Sequence, residues 1–536
     1  MTLPTDSLQD TVRREGSIRG LLERRAEQHG DKVFLTGDAG RFSYRRVNEM
    51  ANSVANSLLR LGLVAGDRIG LMMANSAEWV AIWLGAAKVG VVTVTVNTAY
   101  KGDGLAYQLG HSAVKILAVD PDLLPRVQAL GGEMALPAVF VDGDEAGTAP
   151  GVVSLKELFA RSAAPPPDPG LAPRTPMSIL YTSGTTGPPK GCLLPHGQYL
   201  AAAHLHADNC GYGPGTTLYT CLPLFHINAQ NYSLLSALAA GGTLALDRKF
   251  SASRFWDRLV ETGATAFNFI GSMPISLWNQ PPAPAEQQHT ARVAFGVPIP
   301  LGIWEAWEQR FACRVVYAYG MTENALPAIF PLGDTPAAPH LRGAAGKASP
   351  TAEVAVVDDN DFGVEAGTVG EIVTRPKIPW TMMIEYVDRP EATAAAFRNG
   401  WFHTGDLGYL DPDGFLFYVD RKKDALRRRG EMVSSWEVEA VAGKFPGVAE
   451  CAVVGVPSEM GEDEILVAVV PDGEPFDPAE LVAFCEERTA RFQVPRYVRF
   501  VAALPRTQTQ RVEKYRLRAD GVTPDTWDAA AHKEKP

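Results

Sequence analysis

Apolar residues recur at helical spacing through Ser17–His29 (SIRGLLERRAEQH) and Tyr44–Leu63, and in short unbroken or alternating runs at Asp67–Met73 (DRIGLMM), Val89–Val96 (VGVVTVTV), Lys115–Val119 (KILAV) and Ala138–Val141. The first pattern predicts helices with one apolar face; the second, rich in β-branched residues, predicts buried strands. Lys32–Ser43 (KVFLTGDAGRFS) alternates around a central Asp-Ala-Gly and reads as a small hairpin, and a helix through Trp79 and Leu84 follows the strand at Asp67–Met73. Strand and helix then alternate, the pattern of a parallel sheet covered by helices on its faces.

A proline-rich span, Ala163–Pro176, reads as an exposed connector that delivers a strand at Ile179–Thr182. Helix and strand patterns resume at Thr216–Leu222, Leu234–Ala240, Thr243–Leu246, Ala266–Ile270 and Val315–Tyr319, while 331–350 reads as surface loop. From Val354, short strands and turns (VAVVD, GEIVTR, GFLFYVD) predict an antiparallel subdomain. The C-terminal stretch reads as a separate α+β unit, with helices at Trp436–Ala442 and Pro478–Thr489 and strands at Glu450–Gly455 and Glu464–Pro471. The expected class is therefore α/β: a large N-terminal domain of stacked α/β sheets plus an antiparallel subdomain, and a small mobile α+β C-terminal domain. The expected boundaries are 1–421, 422–520 and a frayed tail over 521–536.

At 536 residues the chain exceeds what one core supports. A 46% hydrophobic and 21% charged composition is that of a globular enzyme, and a net charge of −11 argues against a nucleic-acid surface. Six cysteines stand singly, with no zinc-like spacing, and read as reduced core thiols. The N-terminus lacks a signal-peptide pattern and no apolar run reaches membrane-spanning length, so a cytoplasmic protein is expected.

Candidate chemistry concentrates in Met177–Gly191, MSILYTSGTTGPPKG. A strand runs straight into Ser183, Gly184, Thr185, Thr186 and Gly187, followed by two prolines and Lys190. Glycines let the backbone approach a ligand, hydroxyls add donors, and Lys190 brings a point charge, so an anion is the natural guest. The spacing is not that of the Walker loop, because only two residues separate Gly184 from Gly187 and a glycine follows Lys190. A surface turn of small residues is the bland alternative.

The stretch resembles the signature of the adenylate-forming superfamily: acyl-CoA synthetases, luciferases and peptide-synthetase adenylation domains. The resemblance implies that Thr182, Ser183, Gly184, Thr185, Thr186 and Gly187 line the ATP phosphates together with Lys190. It extends to YAYGMTEN (Tyr317–Asn324), where it implies that Tyr319 stacks on adenine beside Ala318, Gly320 and Met321, Thr322 meets the α-phosphate, and Glu323 holds Mg²⁺. A flat ring, a hydroxyl donor and a hard carboxylate suit those tasks. Read alone, YGMTE is equally a strand end with a helix cap.

In Trp401–Arg421 the resemblance implies that Asp406 accepts from both ribose hydroxyls and that Arg421 contacts ribose or phosphate. Asp406 as a capping residue beside a DPDG hairpin turn is the rival reading. Lys423 falls where the family places the hinge between its domains. The run Arg427–Glu431 is either a solvated turn or a rim that meets the coenzyme's phosphates. PLFHINAQ resembles the family's acyl-side segment, which assigns Phe225 and His226 to the substrate, a buried structural histidine being the rival. FGVPIP, by its place, gives Gly296 and Val297 to the nucleotide and Pro298 to the substrate. It departs from the glycine-rich run of relatives, and so leaves the usual substrate shape open.

A second departure is LPRTQTQRVEKYRLR, in which Gln510 and Arg511 occupy the family's glycine–lysine positions. Arginine keeps the charge but replaces an ammonium with a planar fork, and Lys514 is a possible substitute.

The expected function is ATP-dependent activation of a small carboxylic acid as acyl-AMP, followed by transfer to coenzyme A, as in medium-chain or carnitine-type acyl-CoA ligases. ATP, Mg²⁺ and coenzyme A are the expected ligands, and Lys190, Thr322, Glu323, Arg511 and Lys514 the expected catalytic residues. Two alternatives stay open: adenylation of an oxyanion such as nitrite with transfer to an amine, and a catalytically weak nucleotide-binding protein.

Overall fold

The computed structural model describes residues 5–131, 136, 138–143, 147, 149–182, 189–271, 273–299, 301–332, 338–422, 426–428, 431–433, 435–457, 463–489, 493–506 and 512–533. The chain forms two compact units, one of 1–354 with 374–402, the other of 355–373 with 403–536.

The first unit contains two large sheets. In one, parallel strands Pro176–Thr182, Val92–Thr95, Arg68–Met72, Ile116–Val119, Ala138–Val141 and Val152–Ser154 lie in that order, and Lys190–Pro195 and Glu385–Tyr386 extend the edge antiparallel. In the other, Arg314–Val316, Val293–Val297, Ala266–Ile270, Thr217–Thr220, Thr243–Leu246 and Val33–Thr36 are parallel, with Phe42–Ser43 closing the expected hairpin. Crossover connections between parallel strands require the helices that the apolar spacing predicts.

Two of these helices carry the core. Ala77–Lys88 is buried on every face, which is what an all-round apolar sequence (AEWVAIWLGAAK) demands. Its Trp83 donates to Ser178 Oγ at 3.0 Å, on the strand Pro176–Thr182. His196–Asn209 is buried along nearly its whole length. Two helices open the chain, Thr5–Glu15 and Ile18–His29, the second with Ser17 as its N-cap accepting from Gly20 N.

The loop expected over 331–350 includes a strand instead, Ala344–Ala348. Its small residues permit unusually close packing: Gly346, at φ +98°, leaves no room for a Cβ, which would fall 2.0 Å from the Ile329 carbonyl carbon.

In the second unit, strands Trp401–Leu410 and Leu416–Arg421 form a hairpin whose turn is set by Asp411 Oδ1 accepting from Asp413 N and Phe415 N. The α+β portion pairs Val448–Pro457 with Asp463–Pro471 antiparallel and the latter with Tyr497–Phe500 parallel. Helices Ser435–Ala442 and Pro478–Glu486 contribute Val438, Ala442, Leu481, Val482 and Cys485 to the core beneath this sheet. Within the stretch read as a frayed tail, Trp527 and Asp528 pair with Val498 and Tyr497. The six cysteines are free thiols, all buried except the half-buried Cys451.

Candidate active site

The strand Pro176–Thr182 and its partner Lys190–Pro195 flank the glycine-rich segment 183–189 and bring Thr182 opposite Lys190. Ser183, Gly184, Thr185, Thr186 and Gly187 lie outside the described residues. The loop's ends are braced from below. Tyr107 donates to the Pro189 carbonyl at 3.1 Å, and the Tyr181 hydroxyl is 2.8 Å from His111 Nδ1. Burial lowers the His111 pKa.

Lys190 and Glu323 meet through Tyr386, which belongs to none of the sequence motifs. Tyr386 sits on the edge strand beside Lys190–Pro195, with the Lys190 ammonium 4.7 Å from its ring centroid and its hydroxyl donating to Glu323 Oε1 at 2.9 Å. Met383 N donates to the Glu323 carbonyl at 2.8 Å, so one segment grips this glutamate by both main chain and side chain. Cys192, two residues past Lys190, is fully buried; burial pushes its thiol well above the usual range, with the Glu323 carboxylate adding to the effect. A period-based reading had no signal for Tyr386, whose role depends on an edge-strand pairing between residues far apart in sequence.

YAYGMTEN forms a short strand, Ala318–Tyr319, and a tight turn. Tyr319 is buried, Met321 N donates to the Asn324 carbonyl at 3.0 Å, and Gln198 Nε2 donates to the Thr322 carbonyl at 2.9 Å. No helix begins at this turn, so the helix-cap reading does not apply. Gly320 is packed so closely that a Cβ would stand 2.9 Å from Leu326 N and 3.5 Å from the Tyr232 hydroxyl. Tyr232 also stacks edge-on to Phe295 at 5.3 Å, which joins YAYGMTEN to FGVPIP.

Gly296 and Val297 end the strand Val293–Val297, and a cis peptide bond follows before Pro298. Gly296 is required by contact: a Cβ there would lie 2.0 Å from the Phe269 carbonyl oxygen. Val297 is 38% exposed and therefore available to a ligand. Phe225 and His226 follow the strand Thr217–Thr220, with ring centroids 4.5 Å apart, and His226 is half-buried rather than enclosed. Their loop is held by Gln230, which accepts from Tyr199 Oη at 2.8 Å and donates to the Leu224 carbonyl at 2.8 Å. Thr217–Thr220 and Val293–Val297 belong to one parallel sheet, so these residues follow the carboxyl ends of its strands, where open α/β sheets bind ligands.

In the second unit, hairpin register sets Asp406 opposite Arg421, and Arg421 Nε stands 2.8 Å from Asp406 Oδ1. Glu371 braces this turn: it accepts from Gly405 N at 3.2 Å and pairs with Lys422 Nζ at 3.2 Å and His403 Nδ1 at 3.4 Å. Burial opposes the charge on Glu371, yet Lys422, His403 and the Gly405 N–H outweigh it and its pKa falls. Asp406 caps no helix, since it lies within a strand.

Lys514 opens the helix Lys514–Asp520 and pairs with Glu439 at 2.9 Å while donating to Ser435 Oγ. Arg428 is buried and paired with Glu464 at 2.6 Å, so this member of the arginine run is neither a solvated turn nor a phosphate rim. Lys423, Gln510 and Arg511 lie outside the described residues. Among the described residues, no three His, Cys, Asp or Glu gather as a metal cage, and no helix is long and apolar enough to cross a membrane.

The AMP-binding enzyme family profile matches residues 22–386, and that of the AMP-binding enzyme C-terminal domain matches 437–511. A crotonobetaine/carnitine–CoA ligase of Salmonella paratyphi C is 32% identical over 94% of this chain and 99% of its own. Among solved structures, the anthranilate CoA ligase AuaEII in complex with anthranoyl-AMP has a TM-score of 0.85 at 26% identity, covering 94% of this chain and 96% of that one. ATP-bound MatB from Rhodopseudomonas palustris has a TM-score of 0.84 at 28% identity, covering 94% and 98%.

Proposed function

The chain belongs to the AMP-binding enzymes, and from that membership we propose the chemistry that its own residues perform. It is an AMP-forming acid:CoA ligase: a carboxylate attacks the α-phosphorus of ATP, pyrophosphate leaves, and coenzyme A then displaces AMP from the acyl-adenylate. The relatives named above support this course. Nothing among them supports the activation of nitrite or a merely nucleotide-binding role.

The observation that carries the residue assignment is the meeting of Lys190 and Glu323 at Tyr386, beside the phosphate loop. Lys190 steadies the negative charge that builds on the phosphate oxygens, Thr322 donates to the α-phosphate, and Tyr319, Ala318, Gly320, Met321, Gly296 and Val297 receive the base. Thr182, Ser183, Gly184, Thr185, Thr186 and Gly187 wrap the phosphates. Phe225, His226 and Pro298 face the acid, Asp406 and Arg421 hold the ribose, and Arg511 takes the place of the family's lysine. Lys423 is the pivot between a large domain of 1–421 and a small one of 422–520.

Glu323 fits Mg²⁺, a hard cation that takes one or two carboxylates plus substrate phosphates rather than an all-protein cage. When bound there, the ion neutralises charge on the phosphates. Glu323 and its Tyr386 partner contribute orientation. The proposed enzyme works in the cytoplasm, where ATP and coenzyme A are available.

The test incubates the protein with ATP, Mg²⁺, coenzyme A and a panel of carboxylic acids, scoring AMP and product mass, with Lys190→Met alongside. Acyl-CoA and AMP in equal amounts, with a loss of about 100-fold in the variant, is the expected result. AMP formation that requires nitrite and an amine, and ignores coenzyme A, would overturn it.

A further inference from the structure

Tyr386 is 6% exposed, yet its side chain touches two residues assigned to ATP chemistry and no apolar role accounts for both contacts. Its main chain is pinned as well. Tyr386 pairs with Cys192 across the sheet edge, Tyr386 N donates to Thr393 Oγ1 at 3.0 Å, and Val387 N donates to the Gly191 carbonyl at 2.9 Å. The ring is therefore fixed relative to the strand that carries Lys190.

We propose that Tyr386 is a positioning residue for adenylation, its ring holding the Lys190 ammonium and its hydroxyl turning the Glu323 carboxylate toward the metal-bound phosphates; this rests on the function proposed above. The two contacts do different work. A lysine stem is flexible, and an ammonium over an aromatic face is held without being neutralised, so Lys190 keeps its full charge for phosphate. A glutamate with Oε1 occupied by a phenol is limited in the ways it can turn. The rigid phenol ring thus couples a cationic and an anionic side chain, whose direct pairing would cancel both.

Two variants separate the contacts. Tyr386→Phe keeps the ring and removes only the hydroxyl, whereas Tyr386→Leu removes both. The readouts are adenylation kcat and KM for ATP, calorimetric binding of Mg²⁺ with α,β-methylene-ATP, the thermal midpoint, and conversion of preformed acyl-adenylate to thioester. Tyr386→Phe is expected to melt with the wild type, to lose about 10-fold in adenylation kcat, to bind the Mg²⁺–analogue pair several-fold more weakly, and to leave thioester formation unchanged. Tyr386→Leu is expected to lose about 100-fold in adenylation.

Wild-type adenylation and binding in Tyr386→Phe would overturn the proposal. So would a parallel fall of both half-reactions with the thermal midpoint, since that describes a merely structural residue. If the wild type itself forms no adenylate from any acid in the panel, the underlying function fails first, and the proposal falls with it.

Discussion

Arg421 Nε stands 2.8 Å from Asp406 Oδ1, across a hairpin whose register places the same two residues opposite each other. Asp406 is 2% exposed, and a carboxylate has lone pairs enough to keep a guanidinium and still accept from ribose hydroxyls. The carboxylate of this pair is buried, which sets it apart from a surface ion pair. Asp406→Asn keeps the shape but loses the charge, and it is expected to cut kcat/KM for ATP by about 10- to 100-fold, in line with the roughly 1.5–3 kcal/mol of a hydrogen bond to a charged group. Unchanged kinetics for ATP in this variant would remove Asp406 from the ribose site.

Lys514 and Arg511 should separate cleanly. Lys514 is engaged with Glu439 and Ser435, and burial raises the Glu439 pKa while Lys514 opposes it. Lys514→Met strands that carboxylate, so a loss of about 3 kcal/mol in stability is expected, with adenylation largely retained in the folded protein. Arg511→Ala is expected to do the reverse. Thermal melts and pyrophosphate release on both variants decide it; a stable Lys514→Met that fails to adenylate would give the catalytic part to Lys514.

How much of this was visible in the sequence differs from residue to residue. The buried helix Ala77–Lys88 and the strand Pro176–Thr182 were legible because their apolar runs are continuous. Ala344–Ala348 was not, because a strand of small residues carries no period-2 contrast, and only its close packing against Ile329 reveals it. The motifs from which the site is proposed stand in the sequence as linear signatures. Tyr386 and Glu371 act through contacts with residues remote in sequence, and neither residue type nor spacing announces such contacts.

Three histidines should make the protein acid-sensitive. Burial lowers His196 and His206 to about 3 and His204 to about 4, far below the ordinary 6.5. The unfolded chain then binds more protons than the native one between those values, so stability is fully present above pH 6.5 and falls as pH drops toward 3. His206 Nδ1 lies 2.8 Å from Ser236 Oγ, its ring packed on Phe295 at 4.2 Å. Denaturant melts across this range should show the decline, and His206→Phe should flatten it even where it lowers the midpoint at neutral pH. A slope identical to wild type would show that His206 is not among the titrating groups.

Gly296 offers a steric test of the strand Val293–Val297, whose end is proposed to meet the nucleotide. An alanine Cβ would collide with the Phe269 carbonyl at 2.0 Å, a backbone atom that cannot swing aside. Gly296→Ala is expected to cost about 1–3 kcal/mol in stability and to weaken ATP binding by displacing Val297. Wild-type melting and ATP affinity would contradict that packing.

The account depends on an acyl-adenylate made before coenzyme A acts. A rapid-quench experiment with enzyme in excess over ATP, Mg²⁺ present, an acid selected from the panel and coenzyme A withheld tests this directly. Acyl-AMP and pyrophosphate are expected in equal amounts, followed by conversion to thioester and AMP when coenzyme A is added. Release of ADP and phosphate, or thioester formed with no adenylate preceding it, would contradict it.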